Sequence, residues 1–149
     1  MQIKKLKQGV ESPVKSIDDA GFDIRVNVDF ITGAWVLQPR ETKTFGTGLA
    51  IYLANPALVG FILPRSKLGS KHGIVISNGT GVLDSSYQGE LMVSLFNQSN
   101  EPFTIEDGMA VAQLVIVKIP IWTQFVEVEE FSEVTKRGVN GINCTELRI

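Results

Sequence analysis

Cysteine is all but missing from this 149-residue chain: Cys144 stands alone, so no internal disulfide can form and no Cys or His spacing suits a zinc site. Basic excess is missing too. With 14 Lys and Arg against 16 Asp and Glu, the net charge is −2, which leaves no electrostatic footprint for duplex nucleic acid. No apolar run is long enough to span a membrane, and Met1-Gln2-Ile3-Lys4-Lys5 carries charge with no apolar stretch of a secretory signal behind it. His72 is the only histidine, and a lone histidine is not a metal site. Internal repeats and low-complexity segments are lacking as well. These absences point to a reducing, cytoplasmic setting, no nucleic-acid or membrane partner, and one domain with a real core.

What the chain does have is strand pattern. Residues 3–6 alternate, and in residues 20–26 Phe22, Ile24 and Val26 share one face while Asp23 and Arg25 take the other. Further strands are expected at 35–37, 42–45 and 49–53, the last two separated by Gly46-Thr47-Gly48. Residues 60–63 form a strand stopped by Pro64, and residues 74–76, 91–96, 103–105 and 112–119 complete the set. Short strands at about 8–12-residue spacing with turn signals between them indicate an all-β sandwich or barrel. A single short helix is allowed near residues 66–72, with Gly73 as its terminator.

Special chemistry concentrates in residues 64–90, PRSKLGSKHGIVISNGTGVLDSSYQGE. Its glycines let backbone N–H groups approach a ligand closely, and successive N–H groups make a concavity suited to anions, so a phosphate-bearing ligand is expected. Individual residues also have plainer readings. Asp84 suits a turn, Tyr87 a packing position, Ser66 a helix N-cap, and Lys71 and His72 a solvated face. Asp23 fits a solvated or salt-bridged strand position as well as a site. The Gly- and Asn-rich end, residues 135–143, reads either as a frayed tail or as an arm that orders over a ligand.

Taken together, these segments resemble the trimeric dUTP pyrophosphatase (dUTPase) family across nearly the whole chain. Ala20-Gly21-Phe22-Asp23 is similar to the family's first motif and Pro64-Arg65-Ser66-Lys67-Leu68-Gly69 to its second. Gly81-Val82-Leu83-Asp84-Ser85-Ser86-Tyr87-Gln88-Gly89-Glu90 resembles the third, which is the most specific. Gly108-Met109-Ala110-Val111-Ala112-Gln113-Leu114 resembles the fourth, and Arg137-Gly138-Val139-Asn140-Gly141 is a worn fifth. The resemblance implies a jelly-roll-like all-β fold, a distorted barrel with at most one short helix, assembled as a homotrimer. It implies a domain over residues 1–134 and a C-terminal arm over 135–149 that closes a site at a subunit contact.

The implied reaction is hydrolysis of dUTP to dUMP and pyrophosphate, with Mg2+ along the triphosphate. Asp84 would activate the attacking water, a role that asks for placement more than tuning because carboxylates are ionised at neutral pH. Tyr87 would stack on the deoxyribose and leave no room for a 2′-hydroxyl. Asn78 and the hairpin backbone at Gly81 would read the uracil edge, a strongly discriminating arrangement because a wrong base leaves buried groups unpaired. Arg65, Ser66, Lys67, Gln113 and Arg137 would lie along the phosphates, the arginines through charge-assisted contacts. Asp23 would organise the water shell of the metal, which prefers phosphate oxygens and water to a protein cage.

Departures from the family pattern gather where the nucleotide is closed over. Lys67 replaces a small residue, Ser86 a second acid, Ala110 an arginine, and Ile142 the aromatic that stacks on uracil, with Asn140, Asn143 and Cys144 around it. An aliphatic cover forgoes stacking worth on the order of 1–3 kcal/mol. A second function is therefore held beside the enzyme, a dUTPase-fold module that binds a protein partner in response to nucleotide. A cytosine-nucleotide deaminase is a third, disfavoured because the base-reading turn has no clear extra acid.

Overall fold

The structure is a computed structural model that describes residues 1–28, 33–136 and 138. Its strands are β1 (Gln2–Lys5), β2 (Phe22–Arg25), β3 (Ala34–Leu37), β4 (Thr42–Tyr52), β5 (Leu58–Pro64), β6 (Ile74–Ile76), β7 (Gly81–Leu83), β8 (Glu90–Asn97), β9 (Phe103–Glu106) and β10 (Ala110–Lys118), with one helix, α1 (Ser66–His72). Two four-stranded sheets, ordered β1-β4-β8-β6 and β2-β10-β5-β7, are joined by a two-stranded sheet, β3-β9. Every pairing is antiparallel. The all-β expectation is borne out, as facing open sheets with a single short helix.

Alternation explains how the sheets share a core. In β8, Leu91, Val93 and Leu95 are buried while Met92 is exposed and Ser94 and Phe96 lie half-buried on the other side. They meet Ile24, Ile62, Leu83 and Leu114 of the second sheet, with Leu37 and Ile105 of the third and Leu68 of α1 closing the cluster. Each such aliphatic side chain contributes roughly 1.5–3 kcal/mol on burial. Two polar residues are buried with them, Thr47 and Asn97, the latter at 0% exposure. The Asn97 amide donates to the carbonyls of Leu37 at 3.1 Å and Glu101 at 2.8 Å. Its carbonyl accepts from the Ser99 N–H at 3.0 Å and hydroxyl at 2.7 Å. Full satisfaction is what makes a buried amide tolerable.

Two local expectations are corrected. Residues 42–45 and 49–53 are one strand, β4, because Gly46-Thr47-Gly48 forms a bulge: the pairing with β8 shifts register between Gly46 and Ala50, and Gly48 sits at φ +68°. Ser66 does not cap α1. Arg65 holds the N-cap position with extended backbone and no side-chain cap bond, and Ser66 is the first helical residue. The terminator is as expected, since Gly73 adopts the left-handed conformation at φ 67° and its N–H bonds to the Gly69 and Leu68 carbonyls.

Candidate active site

Two of the candidate residues, Arg65 and Asp84, fall toward opposite ends of β5. On β10, Gln113 pairs with Asp23 of β2 on one side and Leu63 of β5 on the other, so both polar side chains point away from the core that Leu114 and Ile62 enter. Arg65 follows the end of β5 and turns back over them. Its guanidinium lies 3.2 Å from the Asp23 carboxylate and donates to the Ala110 carbonyl at 3.1 Å, while the Gln113 amide donates to the Pro64 carbonyl at 3.2 Å. Both ion-pair members are about two-fifths exposed, so the contact orients more than it stabilises. Ser66, Lys67, Arg25 and His72 join these residues around a cavity of about 550 Å³. Arg25, Arg65 and Lys67 face it against the one carboxylate of Asp23, which suits a ligand carrying several negative charges.

Sequence reasoning placed Arg25 on the face of Asp23 without giving it a role, and took His72 for a solvated residue. His72 is exposed, yet its ring packs against Phe103 at 5.0 Å and borders the cavity. The signal for Arg25 was the strand alternation itself. For His72 there was none, because the contact depends on how β9 passes the end of α1. Ala110 matters through its backbone: the carbonyl that holds Arg65 needs no side chain at this position.

The second group of residues sits elsewhere. The turn Ser77-Asn78-Gly79-Thr80 leaves β6, at the edge of one sheet, and enters β7, at the edge of the other, so Asn78 is presented in the open between them. Gly79 takes φ 74° and its N–H bonds to the Ile76 carbonyl at 2.9 Å. Gly81 pairs with Ile62 and Leu83 with Gly60. Asp84 comes next, exposed, and Tyr87 follows with its N–H on the Asp84 carbonyl at 3.2 Å and 45% of its surface free.

The register fixes how far apart these groups are. Asp84 lies level with Val59 while Arg65 lies beyond Pro64, a separation of roughly 17–20 Å along β5 at ~3.3 Å per residue. The structure thus brings Asp23, Arg65, Ser66, Lys67 and Gln113 together around one cavity and sets Asp84 away from them toward the other end of β5, while Gly81 stands opposite Ile62, only two residues from Pro64. A general base works within hydrogen-bond reach or through one water. Arg137 and Ile142 lie outside the described residues. Between the groups the outward side of the sheet is apolar, with Phe61 paired to both Val82 and Val115, and Val82 61% exposed.

Fold and site define an antiparallel β-sandwich protein with a cationic, phosphate-sized cavity and a separate exposed acid–aromatic loop. The dUTPase family model matches residues 11–145, and the chain belongs to that family. It is 51% identical over 122 residues to the deoxyuridine 5′-triphosphate nucleotidohydrolase of Haemophilus influenzae, covering 82% of this chain and 78% of that protein. Identity to the enzyme of the same name from Neisseria meningitidis serogroup B is 52% over 126 residues, covering 85% and 81%. Among solved structures, the Staphylococcus bacteriophage 80alpha dUTPase with dUPNHPP superposes with a TM-score of 0.84 at 28% identity, covering 98% of both chains. A mutant dUTPase of the S. aureus phage phi11, which coordinates a structural Mg(II) ion, gives 0.76 at 28% identity over 89% of this chain and 98% of that one.

Proposed function

We propose that this chain hydrolyses dUTP to dUMP and pyrophosphate, in sites each completed by more than one copy of the chain. The observation that carries the second part is the separation along β5 of the phosphate-binding group from the acid–aromatic loop. Approximately half of the aligned residues are shared with named dUTP nucleotidohydrolases, which supports the first part.

Arg65, Ser66, Lys67 and Gln113 hold the phosphate chain, joined by Arg137, and Arg65 offers two parallel donors for a charged oxygen pair. Asn78 and the backbone at Gly81 read uracil, Tyr87 packs on the deoxyribose, and Ile142 covers the base. Asp84, free of side-chain partners in the described structure, takes the proton of the attacking water. Among the described residues no group of three His, Cys, Asp or Glu side chains could cage a metal. One carboxylate, Asp23, beside a phosphate cavity fits Mg2+, an ion that keeps several waters and uses substrate oxygens. When bound, Mg2+ supplies charge neutralisation along the triphosphate.

A homotrimer accounts for the apolar sheet face between the two groups, since cyclic symmetry sets one end of that face against the other end of a neighbour's. It also accounts for Ile121, Trp122, Phe125 and Phe131, which follow β10 and are exposed at 56%, 79%, 103% and 90%. Residues 135–149 serve as the closing arm. A cytoplasmic location accords with the lone cysteine.

The test is pyrophosphate release from dUTP with Mg2+, beside dTTP, dCTP and UTP, on the wild type and on Asp84→Asn. Release from dUTP far above that from the other three is expected, falling by about 10²–10⁴ in the variant while nucleotide still binds. Loss of binding instead would make Asp84 structural. The 80alpha dUTPase is described as controlling transfer of virulence genes by a G protein-like mechanism, which favours a nucleotide-controlled partner-binding role as the second reading. No release from the wild type, with nucleotide-induced protection of its last dozen residues, would select that reading.

A further inference from the structure

The loop that carries Asp84 and Tyr87 is held from a direction the reaction does not use. The Glu90 carboxylate, half-buried at the start of β8, accepts the N–H of Gly48 at 2.8 Å across the β4 bulge. The same oxygen lies 2.5 Å from where a Cβ on Gly46 would stand, so it occupies the space that this glycine leaves empty. On the loop side, the Tyr87 hydroxyl donates to the Glu90 backbone carbonyl at 3.0 Å. Its ring passes so close to Gly89 that no Cβ fits there. The bulge is itself pinned, because the buried Thr47 hydroxyl donates to the Leu91 carbonyl at 2.8 Å.

We propose that Glu90 is a positioning residue for deoxyribose selection: through the Gly48 N–H it fixes the anchor on which the Tyr87 phenol rests, and so sets the ring's height over the sugar. The proposal rests on the reading of Tyr87 as the sugar-facing ring. Exclusion of a 2′-hydroxyl is a matter of one oxygen's space, and a ring tied only at its own N–H and hydroxyl moves when its hydroxyl's acceptor moves. The carboxylate acts here as an acceptor, so glutamine can replace it. The Gly46 side of the bulge provides an independent way to displace the same oxygen without altering the loop, since Gly46 has no left-handed φ that an alanine would resist.

The test compares kcat/KM for dUTP and UTP in wild type, Glu90→Ala, Glu90→Gln, Gly46→Ala and the Glu90→Ala/Gly46→Ala double variant, beside amide exchange over residues 84–90. The dUTP:UTP ratio is expected to fall about tenfold in Glu90→Ala and in Gly46→Ala. It should stay within about threefold of wild type in Glu90→Gln, and the double variant should lose no more than either single one. Exchange over 84–90 should quicken in both alanine variants. An equal loss on both nucleotides, a Glu90→Gln as unselective as Glu90→Ala, or unaltered exchange each overturns the proposal. A wild type that does not hydrolyse dUTP sinks the enzymatic reading instead, and the exchange experiment then still decides whether the carboxylate holds the loop.

Discussion

Two inactive variants should restore each other if each site draws its halves from different copies. Arg65→Ala removes the guanidinium that meets Asp23 and Ala110 at the proposed phosphate end, and Asp84→Asn removes the proposed base toward the far end of β5. Each homo-oligomer lacks one half at every site. In an equimolar mixture, denatured and refolded together, the chain giving the phosphate half is the Asp84→Asn type half the time. The chain giving the loop half is the Arg65→Ala type half the time, so about a quarter of the sites are intact in a closed ring. Pyrophosphate release at saturating dUTP should therefore recover to about a quarter of the wild-type rate, against the residual rates of the separately refolded variants. The roughly 17–20 Å along β5 between Arg65 and Asp84 in one chain is the reason for assigning them to different copies. A mixture no more active than the mean of its components would refute the reasoning, and so would a recovered rate that persists when the two variants are refolded apart and mixed afterwards without exchange.

Two further predictions concern the core and the lid. Asn97→Ala leaves the buried carbonyl of Leu37, and the part-buried carbonyl of Glu101 and N–H of Ser99, without their side-chain partner. It should cost about 3 kcal/mol or more, read as a fall of the thermal midpoint of roughly 6–12 °C at fixed protein concentration. Ile142→Phe should lower KM for dUTP on the order of tenfold through stacking on the base, with the dUTP:UTP ratio unaffected because the proposed reading gives the sugar to Tyr87. Steady-state kinetics on both nucleotides check it.

Much of the fold was legible because its signal is local. The alternation of Phe22-Asp23-Ile24-Arg25 gave both the strand and the face on which Asp23 stands, and Gly73 gave the end of α1. Where reading failed, the deciding contact was distant in sequence. Gly46-Thr47-Gly48 has the composition of a turn, and only the Glu90 carboxylate and the Leu91 carbonyl, more than forty residues on, make it a bulge within one strand. β7 was not recognised as a strand at all: Gly81-Val82-Leu83 is three residues long and earns its place by pairing with β5. Ser66 has the right chemistry for a cap, but the chain enters the helix one residue earlier, at Arg65. Candidates for the site came from their motifs, whereas the distance between Arg65 and Asp84 along β5 follows from strand register, which no single segment contains.

The exposed aliphatic and aromatic side chains after β10 bear on the life of the newly made protein. Ile121, Trp122, Phe125 and Phe131 meet water in the lone chain, and large apolar side chains clustered in the open are what chaperones hold and proteases cut. In the proposed trimer that cluster is withdrawn from both. Copies that find each other survive and copies that do not are removed, so the cell's working stock of this protein would rise more steeply than its rate of synthesis.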